Sequence, residues 1–179
     1  MAGEATVRTA AAADLPEMDA MMGRAIPGLL KGFLTPEQVA ASAEIIGLDG
    51  QLVEDGTYLV AEIDGRMAGC GGWSRRATTH GGDHTAGRDA RRLDPATEAA
   101  RVRAMYTDPW AARRGVGRAI LAEAARRAAA EGFVRGMLVA TLAGEPLYLA
   151  CGWREVERWT AETSGGVGVP VLTMEKALG

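Results

Sequence analysis

The chain has 179 residues, of which 47% are hydrophobic, with a mean hydropathy of -0.03 and a formal net charge of -3. This length and composition favour one globular domain over residues 1–179, and no apolar run approaches the ~20 residues that cross a bilayer. Residues 75–118 contain ten arginines and five acidic residues, and such a basic sector in an acidic protein suits a small anionic ligand better than a nucleic acid.

The two cysteines indicate no disulfide framework. Cys70 and Cys151 both lie within apolar segments, which is typical of a protein in a reducing compartment. The first eight residues include an acidic residue, Glu4, where a signal peptide would carry basic residues, and the apolar segment of a signal peptide does not follow. We therefore expect a cytoplasmic protein with no membrane partner.

The first 46 residues predict a strand and two helices. Residues 6–9 have strand character, and Asp14 is a candidate N-cap for a helix that Pro27-Gly28 should end. The apolar residues of this helix recur at helical spacing: Met18, Met21, Met22 and Ile26. Thr35 and the Pro-Glu-Gln that follows predict a capped second helix reaching about residue 46.

A hairpin and a long connection follow. Residues 57–63 and 66–74 are strand-like and flank Asp64-Gly65, which favours a type I′ turn. The polar, glycine-dotted insertion at about 76–98 is longer than the usual connection of about 4–6 residues and is typical of a lid or specificity loop. It contains His80 and His84, but glycines separate them and no third ligand is evident, so we expect no metal.

A strand, a glycine loop and a helix form the central motif of the chain. Residues 100–107 alternate as a strand, which Pro109 stops. Gly115 and Gly117 then allow backbone amides to approach a ligand, and the free N–H groups that begin the next helix suit a phosphate or pyrophosphate. Three arginines add positive charge: Arg113, Arg114 and Arg118.

The motif does not match either of two well-known glycine-rich phosphate-binding loops. A P-loop needs Gly-Lys-Ser/Thr at its end, and a dinucleotide fingerprint needs a third glycine where Ile120 stands. The alternative that stays open is a glycine turn whose arginines are merely solvated.

The last third of the chain predicts two helices and three strands. A helix from about residue 115 to residue 131 should end at Gly132, and residues 133–141 are apolar enough for an interior strand. Gly144-Glu145-Pro146 begins a short helix that carries Tyr148, and residues 154–163 and 169–176 form a closing hairpin.

Two motifs together resemble one family. Arg-Arg-Gly-Val-Gly-Arg at residues 113–118 follows a strand that ends in proline, and Tyr-Leu-Ala-Cys-Gly-Trp stands at 148–153. In this order and spacing they resemble the GNAT superfamily of acetyl-CoA-dependent N-acetyltransferases. The resemblance implies an α+β fold, a GNAT-like three-layer sandwich whose mixed, mostly antiparallel sheet of six to seven strands has helices on both faces.

The resemblance also implies an activity and its partners. Acetyl-CoA is the co-substrate, and a primary amine, on a small metabolite or on a peptide or protein, attacks it directly. No metal and no nucleic acid takes part, and a homodimer is expected because dimers are common in that family. The first two helices would wall the acceptor site, so that Phe33 faces either the acceptor or the core.

The implied cofactor contacts are mostly backbone groups. The pantetheine arm would lie along the fourth strand at Met105, Tyr106 and Thr107, where the amide of Met105 polarises the thioester carbonyl. Loop amides would hold the pyrophosphate, from residues Arg113, Arg114, Gly115, Val116, Gly117 and Arg118. Tyr148 falls at the family's general-acid position; the alternative is a tyrosine of the core.

Three departures from the family pattern stand out. Ala112 replaces an Arg or Gln, Thr141 replaces an Asn, and the fourth strand contains no Glu. The general base is therefore unassigned, with Glu98, a chain of waters or bulk solvent as candidates. The missing base also leaves open a non-catalytic sensor or scaffold of GNAT fold that binds acyl-CoA.

Overall fold

The structure is a computed structural model, and it describes residues 3–179. The strands are β1 (Thr6–Thr9), β2 (Tyr58–Ile63), β3 (Arg66–Ser74), β4 (Ala100–Thr107), β5 (Arg135–Thr141), β6 (Arg154–Glu162) and β7 (Gly168–Ala177). The helices are α1 (Leu15–Leu30), α2 (Pro36–Ser42), α3 (Gly50–Glu54), α4 (Val116–Ala130) and α5 (Glu145–Ala150), with 3-10 turns at Ala12–Asp14 and Pro109–Ala111. No helix of residues 3–179 has the length and apolar character needed to span a membrane.

The strands form one open sheet in the order β1-β2-β3-β4-β5-β7-β6. All neighbouring pairs are antiparallel except β4 and β5, which are parallel. The predicted turn between β2 and β3 is present, since Asp64 and Gly65 both have positive φ, 52° and 75°. The predicted mixed, mostly antiparallel sheet is confirmed, with seven strands.

Helices cover both faces of the sheet and bury one core on each. On one face, α4 places Ile120 and Leu121 against side chains of β2 to β5. On the other face, α1 buries Met18 and Met21 around Tyr58 of β2. The methionine stripe predicted from helical spacing is therefore core, and the sheet lies between two helical layers.

The sheet opens between β4 and β5. Their ladder consists of three residue pairs, from Ala100 with Gly136 to Val102 with Leu138. Ala104 has a φ of 54°, beside a register shift between β3 and β4, and such a bulge bends a strand. Beyond Val102 the edge of β4 that faces β5 has no strand partner, so a gap opens at the carboxyl end of both strands.

The predicted end of the first helix was wrong, whereas its predicted N-cap residue was right. α1 continues through Pro27 to Leu30. Proline costs the helix one backbone hydrogen bond, but Ala25 and Leu30, on either side of it, are buried, and this packing holds the helix together. Asp14 is the N-cap residue of α1, as predicted, but its side chain does not accept a helix amide; its carboxylate accepts from the Ala11 amide at 2.8 Å and pairs with a nearby arginine. α1 therefore reaches further toward the gap than its sequence predicts.

The region after α1 is partly as predicted. The capping box of Thr35 and Gln38 begins α2, but α2 ends at Ser42 instead of near residue 46, and single turns replace its last part. The short helix α3 was not predicted. Its start is fixed from outside, because the carboxylate of Asp83 accepts the Gly50 amide at 3.0 Å.

The long insertion folds back on itself. The Thr78 amide donates to the Asp89 carbonyl at 2.8 Å, and an isolated bridge joins Arg76 to Arg92. The tip of the insertion contacts the segment before α3, where the Thr85 hydroxyl donates to the Glu44 carbonyl at 2.8 Å. The insertion thus covers the sheet face beside α1.

Candidate active site

A cavity of about 790 Å³ occupies the gap between β4 and β5. One end reaches the glycine loop and the start of α4. The other end lies under the end of α1, the turns after α2 and the tip of the insertion. A single cavity therefore brings together elements from the whole length of the chain.

The glycine loop presents unpaired amides to this cavity. Gly115 has a φ of 81° and precedes the first residue of α4, a conformation that favours glycine. Within residues 3–179, four consecutive amides donate no hydrogen bond, those of Gly115, Val116, Gly117 and Arg118. All four residues line the cavity, as does Arg113, so the predicted anion site has free donors and an exposed arginine.

Arg114 and Gly117 of the motif have structural contacts. The Arg114 amide donates to the Ala111 carbonyl at 3.3 Å, and its guanidinium lies 5.4 Å from the Trp110 ring centroid. Arg114 does not line the cavity. A Cβ on Gly117 would lie 2.6 Å from Cδ2 of Leu147, so this glycine allows α4 to pack against α5.

The three residues predicted on β4 all line the cavity. Met105, Tyr106 and Thr107 lie beyond the last pair of the β4–β5 ladder. The side chain of Met105 packs in the core beside α4, whereas the Tyr106 hydroxyl, on the other face, accepts the Gly47 amide at 3.0 Å. The part of β4 that contains them has a free strand edge along the gap.

Tyr148 lies at the junction of core and cavity. It is 7% exposed, lines the cavity, and makes an edge-to-face contact with Trp153 at 6.4 Å between ring centroids. Burial raises the pKa of the Tyr148 phenol, so the hydroxyl is protonated at neutral pH. Tyr148 thus has the surroundings of a core tyrosine and a protonated hydroxyl beside the gap.

Thr141, which stands at the position of a family Asn, also lines the cavity at the end of β5. Its hydroxyl accepts the Gly144 amide at 3.2 Å. This bond shapes the turn that leads into α5 and therefore the position of Tyr148.

The other end of the cavity has apolar walls. Phe33 is half-exposed and lines the cavity. Of the two positions that the sequence left open for it, the core and the acceptor site, the structure has Phe33 at the cavity. The remaining large apolar lining residues at this end are Ile26, Leu29, Leu30, Ile45, Ile46 and Trp159.

Three polar residues stand among these walls: Thr79, His80 and Arg103. His80 was considered only as a metal ligand in the sequence, yet its ring lies 5.9 Å from the Trp159 ring and its Nδ1 is 2.9 Å from the Thr79 hydroxyl. Burial, and then the charge of Arg103, lowers the pKa of His80 below its ordinary value of 6.5. No group of three His, Cys, Asp or Glu within residues 3–179 is placed to hold a metal.

A buried ion cluster supports this end of the cavity. The Asp49 carboxylate pairs with Arg103 and, at 2.9 Å, with Arg88. Arg103 also donates to the Gly81 carbonyl at 3.2 Å. The cluster therefore connects β4, the segment before α3 and the tip of the insertion. Sequence reasoning missed it, because its members are 39 and 54 residues apart.

Glu98, the one side chain named as a candidate base, does not line the cavity. Arg91 binds it at 2.8 and 3.0 Å, and the Asp94 amide donates to it at 2.8 Å. The hydrogen bond with Arg91, followed by that amide, lowers the pKa of Glu98 to about 2. Glu98 fixes the end of the insertion.

An open sheet split beside a glycine loop, with unpaired amides and a buried tyrosine at one cavity, is the architecture of an acyltransferase. A family model described as the acetyltransferase (GNAT) domain matches residues 54–155, more than half of the chain, and the chain belongs to this family of acyltransferases. No curated protein sequence matches it.

Solved structures share the fold at low sequence identity. A GCN5-related N-acetyltransferase from Rhodopseudomonas palustris has a TM-score of 0.71 and 17% identity, over 99% of this chain and 98% of that chain. The ribosomal-protein-S18-alanine N-acetyltransferase from Escherichia coli has a TM-score of 0.59 and 18% identity, over 97% and 94%. PaiA N-acetyltransferase from Thermoplasma acidophilum, solved with coenzyme A, has a TM-score of 0.64 and 14% identity, over 97% and 99%.

Proposed function

We propose that this protein transfers an acetyl group from acetyl-CoA to a primary amine by direct attack of the amine on the thioester. The observation that carries the proposal is the shared cavity, which joins four unpaired amides at the start of α4, the free edge of β4 and Tyr148. Coenzyme A bound to the Thermoplasma relative and the amine acceptor named for the Escherichia relative agree with it.

The diphosphate of the co-substrate fits the glycine loop. The four free amides and the positive end of α4 favour a doubly charged group, and the exposed guanidinium groups of Arg113 and Arg118 add charge at the same mouth. No atom lies within 4 Å of a Cβ built on Gly115, so there is room for a ligand to approach. Arg114 supports this site by ordering the turn before it.

The pantetheine arm would then follow the edge of β4 at Met105, Tyr106 and Thr107. Backbone groups on an unpaired strand edge bind an extended amide chain as a neighbouring strand would. A backbone amide at Met105 would donate to the thioester oxygen, where negative charge develops during attack. The acetyl group would thereby point toward the apolar end of the cavity.

Tyr148 would be the general acid. The leaving thiolate of coenzyme A needs a proton, and the raised pKa keeps that proton on the phenol until charge develops on the sulfur. We expect Tyr148→Phe to lower kcat at least tenfold with little change in acetyl-CoA affinity, because the phenol acts on the leaving group and not on the diphosphate.

The test follows free thiol release from acetyl-CoA across a panel of primary amines, with acetyl-CoA affinity measured by calorimetry. Tyr58→Phe is the matched control, since Tyr58 is fully buried and does not line the cavity. Equal turnover of Tyr148→Phe and wild type would remove Tyr148 from the mechanism.

One observation favours a second candidate, a non-catalytic sensor or scaffold that binds acyl-CoA. Among residues 3–179, no Asp or Glu lines the cavity, so the acidic base that could deprotonate an amine is missing there. Saturable acetyl-CoA binding without thiol release across the whole panel would support the sensor and contradict the transferase.

A further inference from the structure

We propose that His80, in the long insertion, is the general base that takes the proton from the acceptor amine. The inference rests on the proposed acetyl transfer and names the group that its mechanism lacks. An amine is protonated at neutral pH and must lose a proton before it can attack a carbonyl carbon.

The composition of the cavity wall leaves one candidate. A base must have a free lone pair at neutral pH, which excludes the guanidinium groups of the lining arginines. The phenols of Tyr106 and Tyr148 keep their protons, because burial raises the pKa of both. No carboxylate of the described chain lines the cavity, and Glu98 is held outside it. Among the ionisable lining residues of the described chain, His80 is the one whose basic, unprotonated form predominates at pH 7.

The contacts of His80 orient one ring nitrogen for this role. Nδ1 lies 2.9 Å from the Thr79 hydroxyl, and in the tautomer with the proton on Nδ1 it donates to that oxygen. The Nε2 lone pair is then free, and no group of residues 3–179 donates a hydrogen bond to it. The His80 and Trp159 rings make an edge-to-face contact, which limits rotation of the His80 ring.

Strand register relates Trp159, the ring that His80 contacts, to the end of β5. Thr141, the last residue of β5, pairs with Val171 of β7, and Val171 pairs with Trp159 of β6. Neighbouring strands are about 4.8 Å apart, so Trp159 lies about 10 Å across the sheet from Thr141. His80 packs on Trp159 and lines the same cavity as Thr141, so we place the acceptor amine in the part of the cavity beside His80.

The surroundings of His80 keep it unprotonated before the amine binds. Arg103 of β4 is the charged group that acts on it most, while Asp49, from the segment before α3, is engaged by Arg103 and Arg88. A nearby positive charge disfavours any second cation. Burial and, after it, the charge of Arg103 keep His80 neutral, and the same charge lowers the pKa of an ammonium bound beside it.

The proton balance is complete. Nε2 accepts one proton from the bound ammonium and releases it to solvent. The neutral amine forms the C–N bond as the C–S bond breaks, and the departing sulfur takes the phenolic proton of Tyr148. The second proton of the attacking nitrogen restores Tyr148, so one proton leaves with the coenzyme A thiol and one enters solvent.

The experiment measures kcat/KM against pH for an amine whose own pKa is above 9, with wild type, His80→Gln and His84→Gln. In wild type we expect kcat/KM to rise with pH, with an apparent pKa below 6.5, and then to stay level. His80→Gln should lose about 100-fold at pH 7, and its rate should rise instead toward the pKa of the free amine. Added imidazole should restore part of this loss.

His84→Gln is the matched control, because His84 lies on the same insertion but not in this cavity and bonds the Ala43 carbonyl. It should keep the wild-type pH profile. A wild-type profile that rises only near the pKa of the amine would overturn the inference, as would a His80→Gln rate within twofold of wild type. Absence of thiol release from wild type with every amine would instead contradict the proposed function itself.

Discussion

The buried carboxylate of Asp49 offers a sharp test of what holds the acceptor end of the cavity together. Asp49 has no exposed surface and pairs with Arg103, whose side chain is 1% exposed, and with Arg88, whose side chain is 19% exposed. In Asp49→Asn the shape stays but the charge is lost. Arg88 can turn toward water, whereas Arg103 cannot, and a guanidinium does not escape by losing its proton.

The expected cost follows from that geometry. Breaking a buried ion pair from one side costs about 3–5 kcal/mol. For a chain of this length, each kcal/mol lowers Tm by about 2–4 °C, so the loss is about 6–20 °C. The Arg103 guanidinium already has two buried nitrogens, Nε and Nη1, with no hydrogen-bond partner among residues 3–179. Few other groups can therefore replace the Asp49 carboxylate as a partner of this charge.

Urea unfolding at pH 7 and a thermal scan would measure this loss. The control is Glu155→Gln, because Glu155 and Arg158 form an exposed pair and such pairs contribute about 0–1 kcal/mol. The double variant Asp49→Leu with Arg103→Met should recover most of the stability, since an apolar pair can replace a buried ion pair. Loss of less than 1 kcal/mol in Asp49→Asn, or no recovery in the double variant, would refute the reasoning.

Two further predictions concern ligands. Gly115→Ala should weaken acetyl-CoA binding at least tenfold by calorimetry. The φ of 81° at this position costs an L-residue about 1–2 kcal/mol, so the loop would relax and its free amides would move out of position. The control variant Gly165→Ala, in an exposed loop with open space around it, should bind acetyl-CoA as wild type does, and equal affinity of the two variants would contradict this prediction. An arylalkyl monoamine should have a higher kcat/KM than a polyamine at pH 7.5, because the acceptor end has apolar walls and, in residues 3–179, no carboxylate to hold a second ammonium. A preference for the polyamine would contradict this assignment of the cavity.

The sequence by itself determined the parts of the fold that local chemistry controls. The Asp64-Gly65 turn, the capping box at Thr35 and the glycine that ends α4 were read correctly, because each depends on backbone preferences within a few residues. The glycine loop and the Tyr148 segment identified the family for the same reason, since the site uses backbone amides that a short motif positions.

Tertiary structure alone decided the rest. The path of α1 past Pro27 depends on burial of Ala25 and Leu30, and the short helix α3 depends on Asp83, 33 residues away. Local propensity is weaker than such packing and capping from outside the segment.

The acceptor end shows the same limit most clearly. The width of the gap is set by the point at which the β4–β5 ladder stops. That point depends on how the two strands pair, and the sequence of one strand alone does not determine it. His80 and Arg103 meet there only because the insertion folds back and Asp49 joins it to β4. Sequence therefore determined where an acyl carrier would bind, and the three-dimensional meeting of distant side chains decided what surrounds the amine.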